Sequence, residues 1–337
     1  MSEVNRIWRL RKRPVGDITD DVLSFEEGSI PEPSDGEFLF RLNYLSLDPT
    51  NRVWMSDRDQ YLPPVDLNAP MRGVVCGTVV KSHHPDYAEG AIVSGLGVWA
   101  DYQIGTPQTV NPMGDTRPVP VVDAFSTFAL VGPTAYFGLL DIGEPKEGET
   151  VVVSAAAGAV GSIVGQIAKI KGCRVVGLAG TNEKCAWIQD DLGFDVAINY
   201  RTEDVPKTLA AACPDGIDVY FDNVGGEILD ACLTLMNLKG RIPTCGLISQ
   251  YNATEPVPGP YNYERIVMQR LRVEGFIVLD FAERYPEAIA ALGQWMAEGK
   301  IKVRTEIVDG LENALQTVKK LYTGANTGKL MIRVKDV

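Results

Sequence analysis

The sequence predicts an α/β protein of two domains, and three observations along its 337 residues predict it. Up to about Leu130, short β-type runs are separated by turn signals. From Glu149, apolar runs alternate with helical patterns. After Lys302 the texture changes again, to strand, helix and strand. At roughly 150 residues per domain the length itself suggests about two domains.

In the first third the turns are Pro31-Glu32-Pro33, Ser34-Asp35-Gly36, Asp48-Pro49, Leu62-Pro63-Pro64 and Glu89-Gly90. Between them lie runs such as Glu37–Leu42 and Gly73–Val80, the texture of an all-β, barrel-like domain. In the middle, Val151–Val153 precedes a helical stretch to Lys171, and Arg174–Leu178 precedes Glu183–Leu192. Val196–Ile198 leads to a weak helix over Val205–Ala212, and Asp218–Phe221 leads to Glu227–Leu238. Arg241–Leu247 precedes a Pro/Gly/Tyr insertion and then Tyr263–Arg270, and Val273–Val278 precedes Phe281–Glu298. Apolar runs alternating with helices mean βαβ units and a parallel sheet covered on both faces. Val303–Val308, Leu311–Tyr322 and Lys329–Val334 read as strand, helix and strand. The expected division is therefore residues 1–127 with 304–337, and 128–303 between them.

The net charge of −12 disfavours a nucleic-acid binder, which carries a basic footprint. Local donors can still hold phosphates in an acidic protein. Six scattered cysteines without a C-x-x-C pair read as reduced thiols of a cytoplasmic protein. No apolar segment follows the basic residues of Met1–Pro14, so no signal peptide is expected. Thr150–Ala168 lacks charge but is rich in Gly, Ala and Ser, and reads as a buried strand and helix rather than a membrane span.

The motif with chemical content is Ala155-Ala156-Ala157-Gly158-Ala159-Val160-Gly161-Ser162. Aligned on G-x-G-x-x-G, Ala156 replaces the first glycine, and Gly158 and Gly161 are the second and third. The second lets backbone approach a pyrophosphate, and the third lets the helix pack close to the strand. Gly165 lies on the same helical face and extends that approach. Helix N-terminal amides then face the phosphates. About twenty residues on, an NAD site carries an acid for the ribose hydroxyl. Here Gly177-Leu178-Ala179-Gly180-Thr181-Asn182-Glu183-Lys184 offers small residues and then Lys184, which can neutralise a 2′-phosphate. NADP is expected over NAD.

Zinc-dependent alcohol chemistry needs three protein ligands and an open position. The chain has two histidines, the adjacent His83 and His84 in a turn before Pro85, and these cannot readily chelate together. No metal site is expected, and nucleophilic Ser–His–Asp or Cys–His catalysis meets the same shortage. What remains is hydride transfer to a substrate that is already electrophilic, such as a double bond conjugated to a carbonyl. The enolate formed needs only hydrogen-bond donors, and the α-carbon takes a proton from water or a tyrosine.

These residues also carry a family resemblance, spread over nearly the whole chain. It rests on Leu45–Pro49, Pro70–Gly73, His84–Asp86, Thr134–Leu140, Ala155–Ser162, Phe221–Glu227, Cys245–Asn252 and Gly324–Lys329. The chain resembles the zinc-independent medium-chain dehydrogenase/reductases, in the branch of prostaglandin, 2-alkenal and curcumin reductases. The resemblance implies a GroES-like β-barrel domain built from both ends of the chain, and a Rossmann domain with a doubly wound parallel sheet. It implies NADPH-dependent reduction of α,β-unsaturated aldehydes or ketones, and a homodimer.

By position in those motifs, Gly158, Ala159, Val160 and Gly161 would face the pyrophosphate, and Lys184 and Tyr200 the 2′-phosphate. Asn223, Cys245, Gly246, Ile248, Tyr251, Phe276, Ile277 and Val278 would line the cofactor. Asn326 would reach it from the final segment, and Thr134 would lie near the nicotinamide. Tyr251, at a strand end where ligands of open sheets bind, is the candidate for the substrate carbonyl. Tyr61, before Pro63-Pro64, is a candidate to close the pocket, with Tyr261 and Tyr263 as competitors. Two departures concern substrate preference. Thr50-Asn51-Arg52 stands where the family often has Tyr-Met-Arg, and the loop 253–263 is individual. A quinone reductase of the same architecture, a non-catalytic cofactor-binding scaffold and a zinc alcohol dehydrogenase are the other readings weighed.

Overall fold

The computed structural model describes residues 4–337. It divides into two compact units, one of the residues up to Ala129 with Thr305–Val337, the other of Leu130–Arg304.

In the second unit, six strands form a parallel sheet. Taken across the sheet they are Val196–Asn199, Arg174–Ala179, Thr150–Val153, Ile217–Phe221, Met236–Thr244 and Arg272–Gly275. Numbered along the chain this is the order 3-2-1-4-5-6, that of doubly wound dinucleotide-binding sheets. The order reverses between Thr150–Val153 and Ile217–Phe221, and ligands of such sheets bind beyond the strand ends at that point. Val151, Val152 and Val153 are fully buried, as a sheet covered on both faces requires. The uncharged stretch from Thr150 thus divides into this strand and the mostly buried helix Ala159–Ile170. On one side Val152, Val176, Ile198, Leu209, Tyr220 and Leu233 share a core.

Several elements differ from their sequence expectation. The α-helix Asn182–Ala186 gives way to a wider π-type turn, Trp187–Asp191. The last helix of the unit spans Tyr285–Ala297 and is preceded by the 3-10 segment Val278–Arg284. Pro286 sets that start, because its ring favours the first helical turn. The strand expected through Val278 stops at Gly275. Between Tyr263 and Arg270 only Arg265–Met268 is helical. Val121–Phe128 in the first unit, and Val131–Phe137 and Gly138–Gly143 in the second, are helical where no helix was expected. Pro133 falls in the first turn of Val131–Phe137, where its missing N–H breaks no bond.

The first unit holds a mixed sheet around the long strand Phe38–Ser46. One edge of that strand pairs with Arg72–Ser82. The other is shared by Tyr102–Gly105 and the C-terminal strand Lys329–Arg333. Thr305–Asp309 pairs in parallel with Lys329–Arg333, so the end of the chain completes the sheet begun near its start. Lys329 and Asp48 form a buried ion pair at 2.5 Å at this junction.

Candidate functional site

The glycine turn begins at the buried Ser154, directly after the strand Thr150–Val153. Ala155 carries the left-handed φ of +48° that lets the chain reverse, a strained conformation for a residue with a Cβ. Its carbonyl accepts from Gly158 N at 2.8 Å. A Cβ at Gly161 would stand 2.4 Å from that carbonyl oxygen and 2.9 Å from Ala156 Cα, so only glycine permits this approach. Gly158 is the N-cap of Ala159–Ile170 and offers no side-chain acceptor. The first-turn amides of Ala159, Val160 and Gly161 thus begin a twelve-residue helix whose positive end attracts an anion. One turn on, a Cβ at Gly165 would lie 1.9 Å from Phe194 Cζ.

The neighbouring strand Arg174–Ala179 ends at Gly180. Thr181 caps the short helix after it, its Oγ1 accepting from Lys184 N at 3.2 Å. Lys184 is half-buried on that helix. Tyr200 follows the strand Val196–Asn199, and its hydroxyl lies where a side chain at Gly180 would begin. Lys184, on the helix after one strand, and Tyr200, directly after the next, thus follow adjacent strands of the sheet.

At the reversal of strand order, a carboxylate that sequence reasoning passed over organises the backbone. Asp222 is fully buried, and its Oδ1 accepts from the Tyr220 hydroxyl (2.8 Å), Val224 N (3.0 Å) and Gly225 N (2.8 Å). Its main-chain oxygen accepts from Cys245 N and Gly246 N at 2.8 and 3.2 Å. Burial holds the Asp222 carboxyl above the usual carboxylate range, partly offset by the amides it accepts from. Its only sequence signal was an acid ending the apolar run Val219-Tyr220-Phe221.

Asn223 is fixed at both ends, N donating to Ser154 Oγ at 2.9 Å and Nδ2 to Ser154 O at 2.8 Å. Its carbonyl accepts from Ile248 N at 3.3 Å. Burial, then the Asp222 charge, push the Cys245 thiol up to about 12, so it is a neutral lining group at physiological pH. Tyr251 follows the turn Ile248–Gln250, and its hydroxyl oxygen accepts from Leu247 N at 3.2 Å.

The unexpected helix Val131–Phe137 carries Thr134, whose hydroxyl donates to Leu130 O at 2.7 Å. The Phe276 ring packs over Gly138 and edge-on to Phe221, with centroids 6.3 Å apart. Phe276 and Ile277 are half-buried and Val278 is buried. Tyr261 and Tyr263 are exposed on the individual loop.

In the first unit, the Tyr61 hydroxyl bonds the Thr50 hydroxyl, and burial raises its pKa. Asn326 Nδ2 donates to Gly328 O at 3.1 Å. Arg52 is buried, donating to Pro14 O at 3.0 Å and to the Ser56 hydroxyl at 2.5 Å. It clamps the N-terminal loop. His84 Nδ1 accepts from Asp86 N at 3.2 Å within the expected turn. Among the described residues no group of three or more His, Cys, Asp or Glu could hold a metal ion.

The sheet order, the glycine turn and a β-rich unit made from both chain ends define a two-domain dehydrogenase/reductase architecture. Comparison with known proteins agrees. Residues 6–113 match the model of the N-terminal domain of oxidoreductases, and residues 159–294 the model titled zinc-binding dehydrogenase. The chain is 48% identical to the NADPH-dependent curcumin reductase of Escherichia coli, over 98% of this chain and 97% of that one. It is 41% identical to mouse (Mus musculus) prostaglandin reductase 1, over 97% and 98% of the two chains. The crystal structure of CurA from Vibrio vulnificus in complex with NADPH superposes with a TM-score of 0.94 at 43% identity, covering 98% of this chain and all of that one. The chain belongs to the zinc-independent medium-chain dehydrogenase/reductases, in the branch of the curcumin, prostaglandin and 2-alkenal reductases.

Proposed function

We propose that this protein is an NADPH-dependent reductase of the carbon–carbon double bond of α,β-unsaturated aldehydes and ketones. The observation that carries the reading is the pair of strand ends just described. A glycine turn opens a helix whose amides suit a pyrophosphate. The next strand, Arg174–Ala179, is followed by Gly180 rather than an acid, which supports Lys184 and Tyr200 as the groups for an additional phosphate. The relatives named for curcumin, prostaglandin and 2-alkenal reduction support the choice of acceptor.

Bound NADPH supplies a hydride to the β-carbon of the conjugated acceptor. The chain's own residues do the rest. Gly158 would let the backbone approach the pyrophosphate, the amides of Ala159, Val160 and Gly161 would hold it, and Lys184 and Tyr200 would hold the 2′-phosphate. Thr134, Asn223, Cys245, Gly246, Ile248 and the segment Phe276–Val278 line the cofactor, to which Asn326 is also assigned. Tyr251 donates to the carbonyl oxygen of the substrate. Its oxygen already accepts from Leu247 N, which polarises the O–H toward donation. Stabilising that oxygen as charge develops on it is the protein's main chemical contribution. Tyr61 is proposed to close the substrate pocket.

The test is NADPH oxidation with a 2-alkenal, an aryl enone, a benzoquinone and a saturated ketone. The enal and enone should react fastest. The saturated ketone should be slow, because these residues offer no strong general acid to an isolated carbonyl. A benzoquinone faster than every enone would overturn the reading in favour of quinone reduction, and inertness toward all four would favour a scaffold.

A homodimer in the cytoplasm belongs to the same proposal. The strand Arg272–Gly275 ends the parallel sheet and has no partner strand on its outer edge among the described residues. Val273, Val267 and Met268 are exposed near it. An open edge with apolar side chains is a template for a second copy. All six cysteines are free thiols, which suits a reducing compartment. Among the described residues no single helix is long and apolar enough to cross a membrane.

A further inference from the structure

We infer that Arg201 is a second cation for the 2′-phosphate of the cofactor, and that Gly180 enforces the choice of NADPH by leaving room that Tyr200 and Arg201 fill. The inference rests on the proposed cofactor site and adds two residues to it.

The argument begins at the strand tip. In a site that reads an unphosphorylated ribose, a carboxylate projects from about this position and accepts from the 2′-hydroxyl. At Gly180 a Cβ would stand 2.9 Å from the Tyr200 hydroxyl oxygen, 3.2 Å from its Cζ and 3.4 Å from Arg201 Nε. The space an acidic side chain would enter is therefore occupied by a phenol and bounded by a guanidinium. Both replace an acceptor with donors.

The two segments that bring these groups together are tied to each other. Asn199 Nδ2 donates to Asn182 Oδ1 at 2.6 Å, and Asn199 Oδ1 accepts from Arg201 N at 3.1 Å. Asn199 N donates to Glu203 Oε1 at 2.8 Å. Asn199 is itself buried. The helix bearing Lys184 and the turn bearing Arg201 are thus one hydrogen-bonded assembly rather than two independent loops. The Arg201 guanidinium carbon lies 5.9 Å from the centre of the Tyr200 ring, within reach of a cation–π contact that orients it.

A guanidinium offers a planar pair of donors to phosphate oxygens, which a lysine ammonium cannot. Lys184 and Arg201 therefore play different parts. The ammonium supplies a point charge, and the guanidinium a directional grip. Glu203 accepts from the Asn199 amide, so the nearby acid has a role in shaping the turn.

The experiment is equilibrium binding of 2′,5′-ADP and of 5′-AMP, by calorimetry, to the wild type, R201A, R201K, K184A and G180D. The two nucleotides differ in the phosphate at issue. R201A should weaken 2′,5′-ADP about tenfold, the worth of one charge-assisted hydrogen bond, and leave 5′-AMP within about twofold. R201K should recover part of the loss. G180D should also weaken 2′,5′-ADP selectively, through repulsion and displacement of Tyr200. If R201A binds 2′,5′-ADP as the wild type does while K184A does not, the inference about Arg201 fails and the cofactor site stands. If neither variant alters it, both fail. An equal loss of 5′-AMP binding in R201A would reduce Arg201 to a structural residue and overturn its part in phosphate recognition.

Discussion

The Tyr220 hydroxyl donates to Asp222 Oδ1 at 2.8 Å, and neither residue is exposed to solvent. Asp222 extends the run one residue past the strand Ile217–Phe221, where it bridges to Thr244, and its side chain reaches back to that of Tyr220 two residues earlier. The contact completes a set of donors on one carboxylate oxygen, two of them the amides of the Val224–Gly225 turn. Asp222 Oδ2 has no hydrogen-bond partner among the described residues. Asp222→Ala should deprive the Tyr220 hydroxyl and the two turn amides of this acceptor and destabilise the protein by about 3 kcal/mol or more. NADPH binding should weaken as well, because Asn223 and Cys245 adjoin the turn.

Asp222→Asn separates the charge from the acceptor, since its Oδ1 can still receive all three donors. Burial raises the folded carboxyl above the ordinary range. Across the interval from the ordinary carboxyl pKa up through the raised value, the folded state holds the proton more tightly than the unfolded one. This group's contribution to stability therefore falls as pH rises through that interval. Asp222→Asn should lack that slope. Thermal midpoints of wild type and variant, followed upward in pH from the ordinary carboxyl range, should change in relative position, with the variant gaining on the wild type as pH rises. Parallel curves would contradict this account.

The Lys329–Asp48 pair joins the last strand of the chain to the Leu45–Pro49 motif. Lys329 Nζ also donates to Leu47 O at 3.0 Å, and the Ser46 hydroxyl donates to Asp48. Removing one member leaves the other charged and buried. Lys329→Met should cost about 3–5 kcal/mol, read as a fall in thermal midpoint. Asp48→Leu combined with Lys329→Met should recover part of that loss, because the pair's desolvation penalty disappears with it. A double variant less stable than Lys329→Met alone would refute this.

Gly165 and Phe194 test the second close approach of the glycine helix. A Cβ at Gly165 would overlap the Phe194 ring, which is itself buried. Gly165→Ala should cost about 1–3 kcal/mol by overpacking. In a Phe194→Leu background the same change should cost less, giving a coupling of about 1 kcal/mol or more. Additive losses in thermal midpoint would place the clash elsewhere.

How much of this was readable beforehand follows from the range of each interaction. The central strands Thr150–Val153, Arg174–Ala179 and Ile217–Phe221 were legible because burial on both faces leaves an apolar signature, whereas the exposed edge strand Arg272–Gly275 was located by its place in the alternation with helices. The glycine spacing located Gly158 and Gly161, but not the strain, which falls on Ala155 rather than on the alanine in the first glycine position. That Gly165 meets Phe194, or that Arg201 approaches Gly180, depends on contacts between separate βα units, for which local pattern carries no signal. Asp222 was passed over for a similar reason. Its partners include amides that come into range only when the sheet forms. The helix Val131–Phe137 was missed because local breaker signals from Gly132 and Pro133 outweighed burial of its apolar residues. The same segment bears Thr134, so the least readable element holds one of the proposed cofactor-lining residues.

Tyr251 offers the most direct test of the chemistry. Its hydroxyl accepts from Leu247 N and lies 3.2 Å from where a Cβ would be placed on Gly246. The phenol is therefore held against the backbone of its own turn. Two roles can be separated by kinetics. A hydroxyl that donates to the substrate oxygen acts in the transition state, so its loss lowers kcat and kcat/KM together. A hydroxyl that only braces the Gly246–Leu247 turn alters cofactor binding, so its loss raises KM for NADPH and leaves kcat near its starting value. Tyr251→Phe keeps the ring and removes only the oxygen. We expect kcat for a 2-alkenal to fall at least about tenfold, the range of a lost hydrogen bond to developing charge, with a smaller rise in KM for NADPH from the unpaired Leu247 amide. A rise in KM for NADPH at constant kcat would assign the hydrogen bond to the substrate oxygen to another group and leave Tyr251 as a brace for the Gly246–Leu247 turn.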